Sequence, residues 1–174
     1  MELLYICSPG NPTGHLISDA QLQRLIELAH RHDFIIAADE CYSEIYFSEQ
    51  TRPSSLLAAS DAMGNPDFAR CVVFHSLSKR SNLPGLRSGF VAGDAGIIEK
   101  FLQYRTYHGC AMGTHQQHAS TLAWQDEIHV QENRARYKEK FEAVSDILQP
   151  HYDLQQPDGG FYHWLPTPMD DLCF

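Results

Sequence analysis

Short apolar runs, each stopped by polar or turn-forming residues, set the pattern of the first half of the chain. The run over 3–6 stops at Ser8-Pro9-Gly10-Asn11-Pro12, that over 34–38 at Asp39-Glu40, and that over 71–75 at Ser76. Runs bounded in this way predict buried strands. Between the first two, Ser18 and Gln21 carry the signature of a capping box. Leu22, Leu25, Ile26 and Ala29 then recur at helical spacing, which predicts a helix to about His32. Strand, helix, strand, connection, strand implies a parallel sheet. Residues 88–92 read as one more strand, and helical patterns follow over 97–107, 113–124 and 128–148, the last charged on one face and closed by Pro150. Beyond it, Tyr152-Asp153-Leu154, Pro157-Asp158-Gly159-Gly160 and Phe161-Tyr162-His163-Trp164 read as strand, turn and strand of a smaller unit that looks unfinished at Phe174.

A parallel sheet binds ligands outside the carboxyl ends of its strands. The polar residues at three such ends are Asn11, Asp39, and Ser76 with Lys79. Each has a plain structural reading when taken singly: Asn11 as a turn former, Asp39 as a helix cap, Ser76 and Ser78 as loop hydroxyls, Lys79 as a surface amine. Together with the phenol of Tyr42 and the guanidinium of Arg87 they form the set needed to hold a phosphorylated, cationic aromatic aldehyde.

Composition narrows the picture. At 174 residues and 43% hydrophobic content the chain can bury a core, which makes disorder the wrong default. A net charge of −9 without a basic run excludes the electrostatic footprint of a nucleic-acid binder. The 5 cysteines form no paired motif and read as reduced, mostly buried thiols, and no apolar stretch approaches the length of a signal peptide or membrane span. A cytoplasmic protein is expected. The 10 histidines fall in no metal-binding spacing: His30 and His32 sit where a helix end favours positive charge, and His115 with His118 reads as structural. Nucleophile-elbow and phosphate-loop motifs of hydrolases and nucleotide binders are absent from the sequence.

Four segments, in order, resemble the class I and II aminotransferases of the fold-type-I pyridoxal-phosphate superfamily. Ser8-Pro9-Gly10-Asn11-Pro12-Thr13-Gly14 looks like the family's asparagine loop, Asp39-Glu40-Cys41-Tyr42 like its aspartate strand end, Ser76-Leu77-Ser78-Lys79 like its lysine segment, and Pro84-Gly85-Leu86-Arg87-Ser88-Gly89 like its arginine segment. The resemblance implies an α/β fold, a three-layer mostly parallel sheet with flanking helices. Residues 1–127 would form part of the cofactor-binding large domain, and 128–174 a linking helix and the start of a smaller α+β domain. The implied cofactor is pyridoxal 5'-phosphate, and no metal.

On this resemblance Lys79 is the catalytic residue, both Schiff-base partner and general acid/base. Beside a cation such as Arg87, or by burial, its amine would be kept neutral. Asp39 would pair with the pyridine nitrogen, and Asn11 and Tyr42 would donate to the ring's phenolic oxygen. Ser76, Ser78 and Arg87 would bind phosphate, Ser76 foremost among the serines, with Arg80 turned away. The implied partners are amino-acid and keto-acid substrates and, at full length, a second copy of the chain.

Further stretches, among them residues 41–46 and 104–112, look like bacterial succinyldiaminopimelate aminotransferases. That implies exchange of the amino group of N-succinyl-LL-diaminopimelate with 2-oxoglutarate. Tyr46, Arg105 and His108 are polar groups that would reach a long acylated dicarboxylic substrate, or serve packing or a subunit contact. Members of the family are more than twice this length, so the chain looks like a fragment lacking a phosphate loop, a ring-stacking aromatic and a carboxylate-binding arginine. Alternatives stay open: a carbon–sulfur lyase or a cyclopropane-forming synthase on the same fold, a cofactor-sensing domain of a regulator, or an inactive piece.

Overall fold

The computed structural model describes residues 2–166 and 168–169. Four strands, β1 (Leu3–Cys7), β2 (Ile35–Asp39), β3 (Cys71–Ser76) and β4 (Gly89–Gly93), form one sheet in the order β1-β2-β3-β4. The three pairs of neighbours are not alike: β1 with β2 and β2 with β3 are parallel, whereas β4 returns antiparallel to β3. Helix α1 (Asp19–His32) crosses from β1 to β2, and α2 (Leu56–Ala62) from β2 to β3. After β3 come a single turn of helix, α3 (Leu77–Arg80), then α4 (Ala95–His108), α5 (Thr114–Gln125) and α6 (Ile128–Leu148).

Helix α1 begins where the polar pattern requires it to. Ser18 accepts from the Gln21 amide while the Gln21 side chain accepts from the Ser18 amide at 2.9 Å, so two orphan donors of the first turn are satisfied together. Leu22, Ile26 and Ala29, spaced along one stripe, are buried against Ile36, Ala38, Cys71 and Val73 and against Leu56 and Ala59 of α2. Each fully buried Leu or Ile there contributes about 1.5–3 kcal/mol, and Ile26→Ala would cost roughly 2–5 kcal/mol once the cavity is included.

Alternation along the strands puts Leu4 and Ile6 on this core face, and Tyr5, Cys7 and Asp39 on the other. That second face is covered at its far edge, where Phe74 meets Phe101 of α4.

Two expectations change. Residues 152–164 form no hairpin: the turn at 157–160 instead makes an isolated bridge from Gly159 to Tyr46, and the Gly160 amide donates to the Ile45 carbonyl at 2.8 Å. The glycine pair pairs with the first half of the chain rather than with its own neighbours. Cysteines are also less uniformly buried than expected: Cys71 is buried, Cys7 and Cys41 are half-buried and Cys110 is exposed, while Cys173 lies outside the described residues. Among the described residues no helix is long and apolar enough to cross a membrane.

Candidate active site

Asp39 is the last residue of β2 and faces the side of the sheet away from α1. Its Oδ1 accepts from the Cys41 amide at 3.0 Å, a local turn that follows from the strand ending there, and its Oδ2 accepts from the Tyr5 hydroxyl at 2.8 Å. Both donors are neutral, so the carboxylate has no cationic partner among the described residues. Its charge is felt nearby. Burial and then Asp39 push the Cys41 thiol up to about 12, and partial burial of the hydroxyl and then Asp39 push Tyr5 up to about 12.

The next residue, Glu40, is buried and acts as a brace. Its Oε1 accepts from the Leu56 amide at the start of α2 at 2.7 Å, and its Oε2 lies 3.1 Å from Nε2 of His75 on β3 without the alignment of a hydrogen bond. His75 in turn stacks on Phe90 of β4. One side chain thus ties together the ends of β2 and β3, the two strands that carry Asp39 and Ser76.

Lys79 sits in α3, the turn of helix that Ser76 caps. The Ser76 hydroxyl accepts from the Ser78 amide at 3.1 Å and donates to the Ser78 hydroxyl at 2.9 Å. Nζ of Lys79 meets no carboxylate among the described residues; it lies 4.5 Å from the centre of the Phe161 ring and 5.6 Å from that of Tyr42. The Cys41 thiol feels both the Asp39 carboxylate and the Lys79 ammonium, which places Asp39, Cys41, Tyr42 and Lys79 in one neighbourhood.

Of the expected site residues, the structure therefore brings together Asp39, Tyr42 and Lys79, with Ser76 and Ser78 beside the lysine. Asn11 is exposed on the loop after β1, and its side chain makes no hydrogen bond among the described residues. Arg87 is exposed in the left-handed region at φ 55°, and its Nη1 donates to the Pro84 carbonyl at 2.9 Å. Arg80 turns away as expected: it is buried, donates to the Ala123 carbonyl at 2.9 Å, pairs with Glu127 and lies over Trp124. Tyr46 is buried and hydrogen-bonds Glu49 at 3.2 Å, whereas Arg105 and His108 are exposed, Arg105 bonding the Cys110 carbonyl at 3.4 Å and His108 stacking on Tyr104.

Sequence patterns did not point to Tyr5, Phe161 or Tyr162. Tyr5 sits mid-strand in an apolar run, where a phenol reads as core. The pair Gly159-Gly160 directly before two aromatics was the available signal for the others, since a chain that approaches another backbone closely needs glycine. Among the described residues, no cluster of three or more His, Cys, Asp or Glu side chains could hold a metal ion.

A carboxylate suited to a protonated pyridine nitrogen, a phenol, an amine free of any carboxylate, and adjacent hydroxyls at a helix start fit the requirements of pyridoxal phosphate. The donor set is complementary to that group in charge and in type.

Comparison with known proteins gives the same direction. The family model for aminotransferases of class I and II matches residues 1–172. An aminotransferase structure from Neisseria meningitidis Z2491 is 50% identical, with a TM-score of 0.90, over 96% of this chain and 42% of its own. The 4-dedimethylamino-4-oxo-anhydrotetracycline transaminase of Streptomyces rimosus is 33% identical over 94% of this chain and 45% of its own. The LL-diaminopimelate aminotransferase of Maridesulfovibrio salexigens is 30% identical over 96% of this chain and 42% of its own. The chain spans less than half the length of these relatives.

Proposed function

The chain belongs to the class I and II aminotransferases, and from that membership we propose that the intact protein exchanges an amino group between an amino acid and a keto acid, with Lys79 holding the cofactor. The family uses pyridoxal 5'-phosphate. The observation that carries the reading is the amine of Lys79, which faces two aromatic rings and meets no carboxylate among the described residues.

When bound, the cofactor supplies an electron-withdrawing ring that stabilises negative charge at the substrate α-carbon. The protein's own groups do the rest. Asp39 would accept a hydrogen bond from the pyridine nitrogen and keep a proton there, an interaction worth about 1.5–3 kcal/mol when charge-assisted. Tyr42 and Asn11 would donate to the ring's phenolic oxygen. Ser76, Ser78 and Arg87 would hold the phosphate. Once the substrate amine has displaced it from the cofactor, the free Nζ of Lys79 would take up the substrate α-proton and give it back within the same site, so it has to stay within reach of that carbon.

For substrate, a diaminopimelate skeleton with 2-oxoglutarate as amino acceptor is the reading supported by the similarity to LL-diaminopimelate aminotransferase and by the sequence likeness to the N-succinyl-specific enzymes. Homodimerisation and a place in lysine biosynthesis go with that reading. The test is a panel of amino donors, including LL-diaminopimelate with and without its N-succinyl group, incubated with 2-oxoglutarate and the intact protein. Glutamate formed with one of the two donors supports the proposal. Release of pyruvate and a thiol from a cysteine-type donor, with no need of a keto acid, would replace it with a lyase.

A further inference from the structure

Tyr162 belongs to none of the four motifs, yet its hydroxyl oxygen lies 3.1 Å from that of Tyr42. A phenol carries a single proton. If Tyr42 gives its proton to Tyr162, it has none left for a ligand; if it accepts from Tyr162, its own proton is free to point at the site. We propose that Tyr162 is a positioning residue that donates to the Tyr42 oxygen and thereby directs the Tyr42 proton at the cofactor's phenolic oxygen, an inference that rests on the function proposed above.

The turn that carries Tyr162 is fixed to the two loops of the site by backbone bonds. The Gly159 amide donates to the Gly14 carbonyl at 3.1 Å and the Gly160 amide to the Ile45 carbonyl at 2.8 Å. Gly14, at φ 71°, closes this contact: a Cβ there would overlap the Gly159 carbonyl and sit 2.5 Å from the Pro157 side chain. Phe161 adds an edge contact to Tyr42 at 5.4 Å and stacks on Tyr137 of α6 at 5.6 Å, which limits where the neighbouring ring of Tyr162 can go.

The other titratable groups facing Tyr42 are Cys7, Asp39 and Lys79. Cys7 bonds the Pro9 carbonyl, Asp39 accepts from Tyr5 and Cys41, and Lys79 lies over the ring face rather than at the hydroxyl. Tyr162 is thus the group with a hydroxyl within bonding distance of Tyr42. Burial holds the Tyr42 phenol above its ordinary range, which keeps its proton in place for donation. Two phenols in series polarise each other, so the terminal donor is stronger than Tyr42 would be alone.

The test is a pH titration of the absorption band of the intact protein loaded with pyridoxal 5'-phosphate. Donation to the ring oxygen favours the form with one proton fewer and so lowers the midpoint. Tyr162→Phe, which keeps the ring and its packing, should raise that midpoint by roughly 0.3 pH unit, and Tyr42→Phe by roughly 1 unit or more. The double variant should titrate with Tyr42→Phe alone, because Tyr162 acts through Tyr42. A midpoint unmoved by Tyr162→Phe, or moved equally in the Tyr42→Phe background, overturns this inference while a band that needs Lys79 leaves the function standing. A protein with no such band overturns both.

Discussion

Two charged regions of the molecule are built from similar residue types and treat their charges in opposite ways. Around Arg134 of α6 lies a cavity of about 560 Å³ lined by Tyr46, Glu49 and Lys138 among others. There the guanidinium donates to Glu44 at 2.8 Å, approaches Glu49 at 3.4 Å and covers the Tyr46 ring at 3.9 Å. Opposite charges answer each other within the protein. At the carboxyl ends of β2 and β3, by contrast, Asp39 accepts from the neutral donors Tyr5 and Cys41 among the described residues, and Lys79 faces rings. The partners of their polar groups separate the two regions. A carboxylate and an amine that make no ion pair among the described residues, at neighbouring strand ends, are open to a ligand, whereas a closed ion network serves the fold.

The largest expected effect comes from the lysine. Lys79→Ala in the intact protein should lower turnover by roughly 10²–10⁴-fold and abolish stable cofactor retention, with thermal stability little changed. Asp39→Ala should keep some cofactor yet lose roughly 10- to 150-fold in kcat/KM, the kinetic equivalent of one charge-assisted hydrogen bond. Retained turnover in that variant would break the contrast at its anionic pole.

The opposite signature is expected from the other region. Arg134→Ala leaves Glu44 without its partner and should cost about 1–3 kcal/mol in denaturant unfolding, with turnover per folded molecule unchanged. A drop in turnover at full stability would show that the closed network is part of the site after all.

The smallest effect belongs to His163, which packs at 4.4 Å on Phe141 and has both ring nitrogens buried without hydrogen-bond partners among the described residues. Burial holds its pKa below 6.5, so the unfolded chain binds the proton more readily than the native one. Stability from this group is present above about pH 6.5 and lost as pH falls through the lowered native value. His163→Phe should flatten that slope by less than about 1 kcal/mol, read from unfolding curves at a series of pH values.

Much of this was legible in the chain. Strands β1 to β3, helix α1 and the span of α6 follow from local patterns: apolar runs, a capping box, and a closing Pro150. Local patterns also located Asp39 and Lys79, because a parallel sheet lines up its strand ends. Helix α2 was missed because its seven residues follow a Pro53-Ser54-Ser55 stretch that reads as loop, and because its start is held by Glu40 from sixteen residues upstream. The antiparallel return of β4 had no marker of direction in its own residues. Likewise the turn at 157–160 gives no local sign that its partners are Gly14 and Ile45, which is why Tyr162 stayed out of view. Pairings across more than a hundred residues are decided by packing, and a sequence read alone carries only their glycine traces.

The central claim is that the amine of Lys79 is the group that binds the cofactor, across from the carboxylate of Asp39. Borohydride reduction of the cofactor-loaded intact protein, followed by proteolysis and peptide mapping, tests it most directly. The label should fall on the peptide containing Ser76-Leu77-Ser78-Lys79, at Lys79. A label at any other lysine, or none, would contradict it.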